Sequence, residues 1–271
     1  MKAIVLCAGQ GRRLLPFTER TPKCLLPVGG KPILGWQLQG LAKAGIREAT
    51  LVTGFRAETI EAALPDITPA GLTVRTVFNP FFGVAENIGS CFLVRDLLRA
   101  ADTVLLNGDT LFEPAVLRHL LASPAAPITV TIDRKPEYDA DDMKVSVDGT
   151  SLRAIGKTLT ADETNGESIG MLRFQGLGGA LFADGLEAAL RQPEGLRRWY
   201  LSVIHAIAQR GAQRGAQRDD QRDDQRDDQR DQVRVTSIEG LSWGEVDYPD
   251  DLAEAEALVR SWALPAPALA G

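Results

Sequence analysis

Cysteine is scarce in this sequence. Only Cys7, Cys24 and Cys91 occur among 271 residues, and no two of them have CxxC spacing. An odd number of cysteines without that spacing argues against a disulfide framework and against a zinc site. The count is typical of a protein in a reducing compartment, so we expect a cytoplasmic location.

Long apolar runs and an excess of basic residues are also missing. No apolar stretch approaches the about 20 residues that a membrane-spanning helix needs, and the opening MKAIVL lacks the features of a signal peptide. The net charge is -6 at pH 7. We therefore predict neither a membrane partner nor a nucleic-acid partner, because a nucleic-acid surface normally needs a basic excess. A small anionic ligand needs only a local cluster of cations.

Strand patterns and helix patterns alternate through the first 110 residues. This order predicts an α/β fold of the three-layer, Rossmann-like kind, in which helices flank a mixed, mostly parallel sheet. The segments that indicate buried strands are KAIVLCA, ATLVTGF, LTVRTVFN and DTVLLNGD. The segments with helical spacing are ILGWQLQGLAKAG, ETIEAAL and NIGSCFLVRDLLRA, the last with Asn87 as a candidate N-cap.

After Asp109 the pattern changes to short strands with turns, which predicts a small antiparallel extension on the acceptor side. VRVTSIEG and SWGEVDY read as a late hairpin, and DLAEAEALVRSWAL reads as a closing amphipathic helix. We predict a single domain over residues 1–263. Its nucleotide-binding half covers 1–110, its acceptor-binding half covers 111–263, and a flexible tail follows at 264–271.

A four-residue repeat interrupts the second half at 209–232, with the sequence QRGAQRGAQRDDQRDDQRDDQRDQ. It carries no apolar side chain after Ala216, so it cannot bury a core face. We interpret it as a solvated insertion that could extend the preceding helix through Asp–Arg pairs. A partner-binding arm is the alternative, but the repeat offers no anchor residue.

The segment Leu6 to Pro27, LCAGQGRRLLPFTERTPKCLLP, places a basic, proline-rich loop directly after the first strand. It begins like GxGxxG, but Leu14 stands where a dinucleotide-binding loop has its third glycine, and no GK[ST] of a Walker A loop follows. The loop chemistry still indicates phosphate. Its glycines let the backbone approach a ligand and expose N–H donors, and the cations Arg12, Arg13 and Lys23 lie nearby.

The stretch AGQGRRLLPFTERTPKCLLPVGGKPIL resembles the N-terminal signature of nucleotidyltransferases that make activated sugars and alcohols from NTPs, A-G-x-G-x-R-L-x-P-x-T…P-K-x-L-x-P-V-x-G-K-P. The resemblance continues through Asn107-Gly108-Asp109 and Glu245-Val246-Asp247, and it covers essentially the whole chain except the repeat and the tail. Within the superfamily, FNPFFGVAENIGSCFLVR, DDMKV, IGK and NGESIGM are similar to bacterial choline-phosphate cytidylyltransferases and the related 2-aminoethylphosphonate cytidylyltransferases.

The resemblance implies a Mg²⁺-dependent transfer of CMP from CTP to a small phosphorylated amino-alcohol or phosphonate, such as phosphocholine or 2-aminoethylphosphonate. An oxygen of the acceptor attacks the α-phosphorus and pyrophosphate leaves, so positioning and cations carry most of the catalysis. Two alternatives stay open. One is a nucleotidyltransferase for a sugar 1-phosphate or inositol phosphate, and the other is a catalytically silent, nucleotide-binding regulatory paralogue.

The resemblance also implies roles for single residues. Asp109 and Asp247 are the implied Mg²⁺ ligands, Arg13 would hold the β- and γ-phosphates, and Lys23 would bridge the α-phosphate and the attacking phosphate. These four are the expected catalytic residues. The expected nucleotide contacts are Leu6, Ala8, Gly9, Gly11, Arg12, Arg13, Lys23, Thr53, Gly54, Asn87, Ser90 and Gly108. Turn and cap chemistry is the alternative role for the residues outside the loop.

The acceptor side is less distinctive in sequence. Lys157 resembles the family lysine that meets the acceptor phosphate, and Glu167 and Ser168 match a substrate-side motif. An ammonium group on the acceptor would need carboxylates and aromatic rings around it. The expected acceptor contacts are Lys157, Glu167, Ser168, Trp199, Tyr200 and Glu245, with Trp243 also available. Packing in a core is the alternative role of each aromatic ring.

Overall fold

The structure is a computed structural model that describes residues 1–219 and 232–263. Its strands are β1 Lys2–Cys7, β2 Pro27–Val28, β3 Lys31–Pro32, β4 Glu48–Thr53, β5 Thr73–Phe78, β6 Thr103–Asn107, β7 Thr110–Phe112, β8 Ile128–Asp133, β9 Lys144–Asp148, β10 Ser151–Ile155, β11 Gly166–Phe174, β12 Val233–Ser237 and β13 Trp243–Glu245. Its α-helices are α1 Ile33–Lys43, α2 Ala57–Ile67, α3 Asn87–Leu93, α4 Arg95–Ala100, α5 Pro114–Ala122, α6 Gly178–Leu190, α7 Leu201–Asp219 and α8 Asp251–Ala263.

One mixed sheet of nine strands runs through the molecule in the order β5-β4-β1-β6-β11-β8-β12-β10-β9. The four strands from β5 to β6 are parallel to each other. Beyond β6 the pairings are antiparallel, except that β12 runs parallel to β8. The predicted α/β class with a mixed, helix-flanked sheet is confirmed, and the predicted antiparallel extension continues the same sheet.

Side chains of the sheet alternate between two apolar cores, one on each face. On β1, Ile4 packs with residues of α3, α4, α6 and α7, whereas Ala3, Val5 and Cys7 pack with residues of α1, α2 and α5. This alternation follows from the two-residue period of a strand. It produces the helix–sheet–helix layering that the sequence predicts, with the carboxyl ends of β1 and β6 side by side.

A third, smaller core fixes the basic loop. Leu14 is fully buried there, together with Leu26, Val28 and Val259 of α8. A dinucleotide-binding loop has a glycine at this position, which allows close helix packing, whereas here the Leu14 side chain anchors the loop in an apolar core. The C-terminal helix thus supports the loop that follows β1.

Three sequence expectations need correction. The helix predicted over 87–100 is divided at Val94 into α3 and α4. The N-cap of α3 is Glu86 and not Asn87, because the Asn87 side chain accepts the backbone N–H of Tyr200 instead (2.9 Å). The late hairpin does not form.

Both halves of that predicted hairpin find other partners. β12 inserts between β8 and β10, where Val233 and Val235 are buried in a core. β13 pairs with β7, so Glu245 lies opposite Thr110. Burial of β12 between two strands of the large sheet stabilises this arrangement more than a two-stranded hairpin would.

The first part of the repeat, up to Asp219, continues α7, as the helix-extension interpretation expects. The rest of the repeat, apart from Gln232, and the predicted tail 264–271 lie outside the described residues. Within the described residues, no helix combines the length and the apolar character that crossing a membrane requires.

Candidate active site

A cavity of about 500 Å³ opens at the carboxyl ends of β1 and β6. In open α/β sheets this edge is where ligands bind. The structure brings twelve of the predicted site residues to its wall, namely Leu6, Ala8, Gly9, Gly11, Arg12, Arg13, Lys23, Asn87, Ser90, Gly108, Asp109 and Asp247. These residues come from distant parts of the chain, so their convergence depends on the fold.

The loop after β1 is shaped by Gly11. Its φ of 69° lies in the left-handed region, and a Cβ there would come within 3.0 Å of the Lys23 side chain. Glycine therefore allows both the turn and the close approach of Lys23. The hydroxyl of Thr18 donates to the carbonyl of Gly11 (2.7 Å) and fixes the turn.

Lys23 lies between two carboxylates that are far apart in sequence. Its ammonium donates to Asp109 Oδ2 (2.7 Å) and to Asp247 Oδ1. Burial alone would lower the pKa of Lys23, but the negative charges of Asp109 and Asp247 outweigh burial and raise the pKa above its usual value. Burial likewise opposes ionisation of Asp247, and Lys23 outweighs it to hold the pKa of Asp247 below its usual range.

A buried amide holds Asp109 in place. Gln37 on α1 is 1% exposed, and its Nε2 donates to the carbonyls of Asn107 (2.7 Å) and Thr110 (2.8 Å), on either side of Asp109. Gly108 lies within this turn, where a Cβ would meet the carbonyl oxygen of Leu6 at 2.4 Å. Sequence reasoning missed Gln37, because a glutamine on an apolar helix carries no signal of its partner.

Arg13 lies at the opposite side of the same cluster. Its guanidinium is 3.4 Å from Asp247 and 3.6 Å from Asp141, and it donates to the hydroxyl of Tyr248 (3.1 Å). The Tyr248 ring lies 5.1 Å from the guanidinium carbon, within cation–π range. Arg12, by contrast, bonds only its neighbour Gln10 among the described residues (3.3 Å).

The donor set fits a hard divalent cation. Asp109 Oδ1 is buried and has no hydrogen-bond partner among the described residues, so one carboxylate oxygen beside the cavity has an unused lone pair. Oxygen ligands are those that Mg²⁺ prefers, and Mg²⁺ usually keeps several waters and phosphate oxygens. The described residues contain no group of three or more His, Cys, Asp or Glu side chains that could hold a metal. Among the described residues, Asp109 and Asp247 are the two aspartates at the cavity wall that could hold such an ion.

Glu245 adds a third acid beside this pair. Part of its side chain is open to solvent, while protein atoms surround the rest. Desolvation, followed by the negative charges of Asp109 and Asp247, raises the pKa of Glu245 to about 8. The like charges alone support this direction, so a proton or a cation near Glu245 would stabilise the cluster.

The inner end of the cavity is lined by polar side chains between β5 and α3. Asn79 is buried, and its Nδ2 donates to Ser90 Oγ (3.0 Å). Sequence reasoning proposed Ser90 but missed Asn79. The position of Asn79 directly after β5, shortly before the start of α3, was the sequence signal that could have identified it. Thr53 is fully buried and does not line the cavity, and Gly54 lies behind Ala8, where a Cβ would approach the Ala8 carbonyl at 2.7 Å.

On the acceptor side the predicted acid is already paired. Glu167 lies on β11 and is 5% exposed, and Lys135 bridges it (2.9 Å) to Asp142 (2.8 Å). Burial raises the pKa of Glu167 to about 7, against the opposing effect of Lys135. Ser168, next on the strand, is also buried. Neither Glu167 nor Ser168 lines the 500 Å³ cavity.

The predicted aromatic residues divide into surface and core. Trp199 is 40% exposed, carries the Lys157 ammonium 4.9 Å from its ring centre, and donates its Nε1–H to Glu86 (3.2 Å). Tyr200 is fully buried, packs edge-on against Phe182, and bonds Asn107 through its hydroxyl (3.3 Å). The structure therefore brings Trp199 and Lys157 together but leaves Tyr200 in the core. Trp243 donates to Asp133.

Known proteins share both the sequence pattern and the fold. The sequence profile of the MobA-like NTP transferase domain matches residues 3–218. The chain is 42% identical to CMP-5′-(3-aminopropyl)phosphonate synthase of Streptomyces rubellomurinus over 126 residues, which cover 46% of this chain and 20% of that protein. It is 36% identical to choline-phosphate cytidylyltransferase of Streptococcus pneumoniae over 109 residues, 40% of this chain and 44% of that protein.

Sugar-phosphate nucleotidyltransferases are among the other relatives. The matched parts of the first relatives span between a fifth and about half of those proteins' lengths. Among solved structures, the inositol-1-phosphate CTP transferase from T. maritima superposes with a TM-score of 0.73 at 21% identity, covering 96% of this chain and 95% of that chain. At that identity the likeness shows the fold.

Proposed function

The chain belongs to the MobA-like NTP transferase domain family, and we propose that it is a Mg²⁺-dependent cytidylyltransferase. It transfers CMP from CTP to a small phosphorylated amino-alcohol or phosphonate and releases pyrophosphate. The observation that carries the proposal is the Lys23 ammonium held between Asp109 and Asp247 at the mouth of the glycine-lined cavity. Likeness to CMP-aminopropylphosphonate synthase and choline-phosphate cytidylyltransferase supports the cytidylyl group and the acceptor class.

The reaction needs charge neutralisation more than proton transfer. The attacking phosphate or phosphonate oxygen is already an anion, and negative charge is redistributed over the phosphate oxygens in the transition state. Mg²⁺, when bound, neutralises part of this charge, and Asp109 and Asp247 would hold it. Lys23 then donates to the α-phosphate and the attacking oxygen, and Arg13 binds the leaving pyrophosphate.

Other residues of the cavity wall support roles in binding the rest of the nucleotide. Backbone N–H groups of the loop around Gly9 and Gly11 bind the phosphate chain, since glycine lets the backbone come close. We propose that Asn79 and Ser90, which line the same cavity, hold the base. Lys157 and Trp199 lie on the acceptor side and receive the phosphate and the organic part of the acceptor. The free, buried cysteines support a cytoplasmic location as part of the proposal.

One observation favours a second candidate, an inositol phosphate or sugar 1-phosphate as acceptor. Glu167, the acid expected to meet an ammonium group, already contacts Lys135, which it shares with Asp142. An acceptor without a positive charge would leave that ion pair intact. All four expected catalytic residues, Arg13, Lys23, Asp109 and Asp247, line one cavity, which supports an enzyme over a catalytically silent paralogue.

Pyrophosphate release tests the proposal directly. The purified protein is incubated with each of the common NTPs and a panel of phosphocholine, 2-aminoethylphosphonate, inositol phosphate and hexose 1-phosphates, with Mg²⁺ or with EDTA. We expect release with CTP and an amino-alcohol phosphate or phosphonate, and none in EDTA. Activity only with a hexose 1-phosphate or an inositol phosphate would select the second candidate. No release with any NTP would remove the enzyme proposal.

A further inference from the structure

The segment from Asp139 to Asp142 carries three acids with three different contacts. Asp139 shapes the turn, because its Oδ1 accepts the backbone N–H groups of Asp141 (2.8 Å) and Asp142 (3.1 Å). Asp142 anchors the segment through Lys135 (2.8 Å). The DxD of this segment is Asp139-Ala140-Asp141, and a metal motif would need its carboxylate oxygens free for an ion, so the backbone contacts of Asp139 argue against that role.

Asp141 is the acid of this segment that faces the site. It accepts the hydroxyl of Tyr248 on Oδ2 and the Lys157 ammonium on Oδ1 (3.3 Å). The Arg13 guanidinium lies 3.6 Å from Oδ2 and donates to the same Tyr248 hydroxyl (3.1 Å). One carboxylate thus contacts cations from the first loop and from the acceptor half.

These two cations have a place in the proposed function. There, Arg13 binds the leaving pyrophosphate and Lys157 binds the acceptor phosphate. A carboxylate that contacts both of them occupies positions that substrate oxygens would take. Phosphate binding therefore has to replace the contacts of Asp141.

We propose that Asp141 is an affinity-determining residue, an internal counter-anion that competes with substrate phosphates for Arg13 and Lys157. The inference rests on the proposed function. Competition is modest, because the side chains of Asp141 and Arg13 are 52% and 47% exposed and exposed ion pairs are weak. By this competition the residue lowers phosphate affinity.

The alternative is that Asp141 helps binding, either by orienting Arg13 or by contacting a metal or an acceptor ammonium. The two ideas predict opposite signs. Removal of a competitor tightens phosphate binding, and removal of a helper weakens it. Asp141→Asn keeps the size of the side chain and removes its charge.

Calorimetric titration with inorganic pyrophosphate in Mg²⁺ buffer measures this sign without turnover. For Asp141→Asn we expect the dissociation constant to fall by about two- to fivefold, the range that weak exposed pairs allow. The gain should shrink at high salt, because screening weakens exposed pairs. Asp162→Asn, in the exposed turn Ala161–Glu163, removes the same charge elsewhere and should leave the constant unchanged.

A second comparison separates competition from a general charge effect. In an Arg13→Ala background, Asp141→Asn should give a smaller gain, because one of the two contested cations is gone. A full gain in that background, an equal gain in Asp162→Asn, or unchanged or weaker binding in Asp141→Asn would each overturn the inference. So would a failure of both Asp141→Asn and the unaltered protein to bind pyrophosphate.

The outcome can be told apart from failure of the proposed function. Tighter pyrophosphate binding in Asp141→Asn, without pyrophosphate release from any NTP, would remove the enzyme proposal alone. Normal release with unchanged affinity would remove only the role of Asp141. The midpoint of thermal unfolding is measured for each variant to check that substitution of the half-exposed Asp141 leaves the fold intact.

Discussion

The nucleotide side and the acceptor side of the cleft are built differently. On the nucleotide side, the loop after β1 and Asp109 after β6 follow neighbouring parallel strands, and their charges converge on Lys23. On the acceptor side, charges come from loops and strand ends and pair with each other, as Lys135 does with Asp142 and Glu167. The first arrangement concentrates unlike charges at a cavity. The second pairs its charges away from that cavity.

The difference has a physical origin. Parallel strands that end at one sheet edge bring their following loops together without further contacts. In the other part of the sheet most neighbouring strands are antiparallel and end at opposite edges. Its buried polar side chains therefore need local partners to avoid a loss of stability. Substitutions on the nucleotide side should therefore change catalysis, and those on the acceptor side should change substrate affinity or stability.

The largest effect is expected at the centre of the nucleotide side. Lys23→Ala should lower turnover by about 10²–10³-fold, because a donor to the developing charge is lost. Unfolding free energy should fall by about 1–3 kcal/mol, since two carboxylates lose their partner, and the protein should stay folded. Steady-state kinetics and chemical denaturation measure the two losses.

Lys2→Ala is the matched control for this substitution. Lys2 pairs with Glu48 at the exposed start of β1 and β4 (2.8 Å), away from the cavity. It should change turnover by less than about twofold, as exposed ion pairs contribute little. If Lys23→Ala unfolds the protein in parallel with its loss of turnover, Lys23 is structural and the contrast between the two sides disappears.

A smaller effect is expected at the exposed aromatic residue of the acceptor side. Trp199→Ala should raise the KM for the acceptor by about three- to tenfold, because a ring that can contact a cation is lost, and leave the KM for CTP unchanged. Trp199→Phe keeps a ring and should restore most of the affinity. Equal changes in both KM values would mean that the two sides are not separate.

The pH dependence of stability tests the paired acid. Glu167 has a native pKa of about 7, above its unfolded value, so the native state binds more protons between about pH 4.5 and 7. As the pH rises through this window, the unfolding free energy of the unaltered protein should therefore fall relative to that of Glu167→Gln, by about 1–3 kcal/mol. Denaturation at pH 5, 6, 7 and 8 measures the difference.

Glu163→Gln provides a control of opposite sign. The pKa of Glu163 is lowered by hydrogen bonds from the Thr160 backbone and side chain, so its contribution to stability is lost as pH falls. Parallel stability curves for Glu167→Gln and the unaltered protein would show that Glu167 is not protonated in the folded state near neutral pH.

The smallest effect is expected from the repeat. Replacement of residues 220–231 by a Gly/Ser linker of equal length should change kcat/KM by less than about twofold, because a polar segment without an anchor residue contributes little binding energy. A large loss of activity would show that the segment acts as more than a connection between α7 and β12.

The sequence was informative where function sits in contiguous motifs. The signature from Ala8 to Leu34 predicted the family, and Arg13, Lys23 and Asp109 do lie together at the cavity. It was less informative where a residue's role depends on a distant partner. Tyr200 was expected near the acceptor but is in the core, and the predicted hairpin was wrong because β12 found partners elsewhere in the sheet. The assigned roles of the site residues, and the domain boundary at 263, stay predictions.

By itself, the sequence determined the alternation of strands and helices and the composition of the phosphate loop, because hydrophobic period, glycine and proline act over a few residues. Only the tertiary structure decided that Asp247 meets Lys23, that Gln37 holds the turn of Asp109, and that Asp141 faces Arg13. Lys23 and Asp247 are 224 positions apart in the sequence, and Gln37 is 70 positions from Asn107, whose carbonyl it binds. The geometry of such contacts depends on the packing of the whole sheet, which no local pattern encodes.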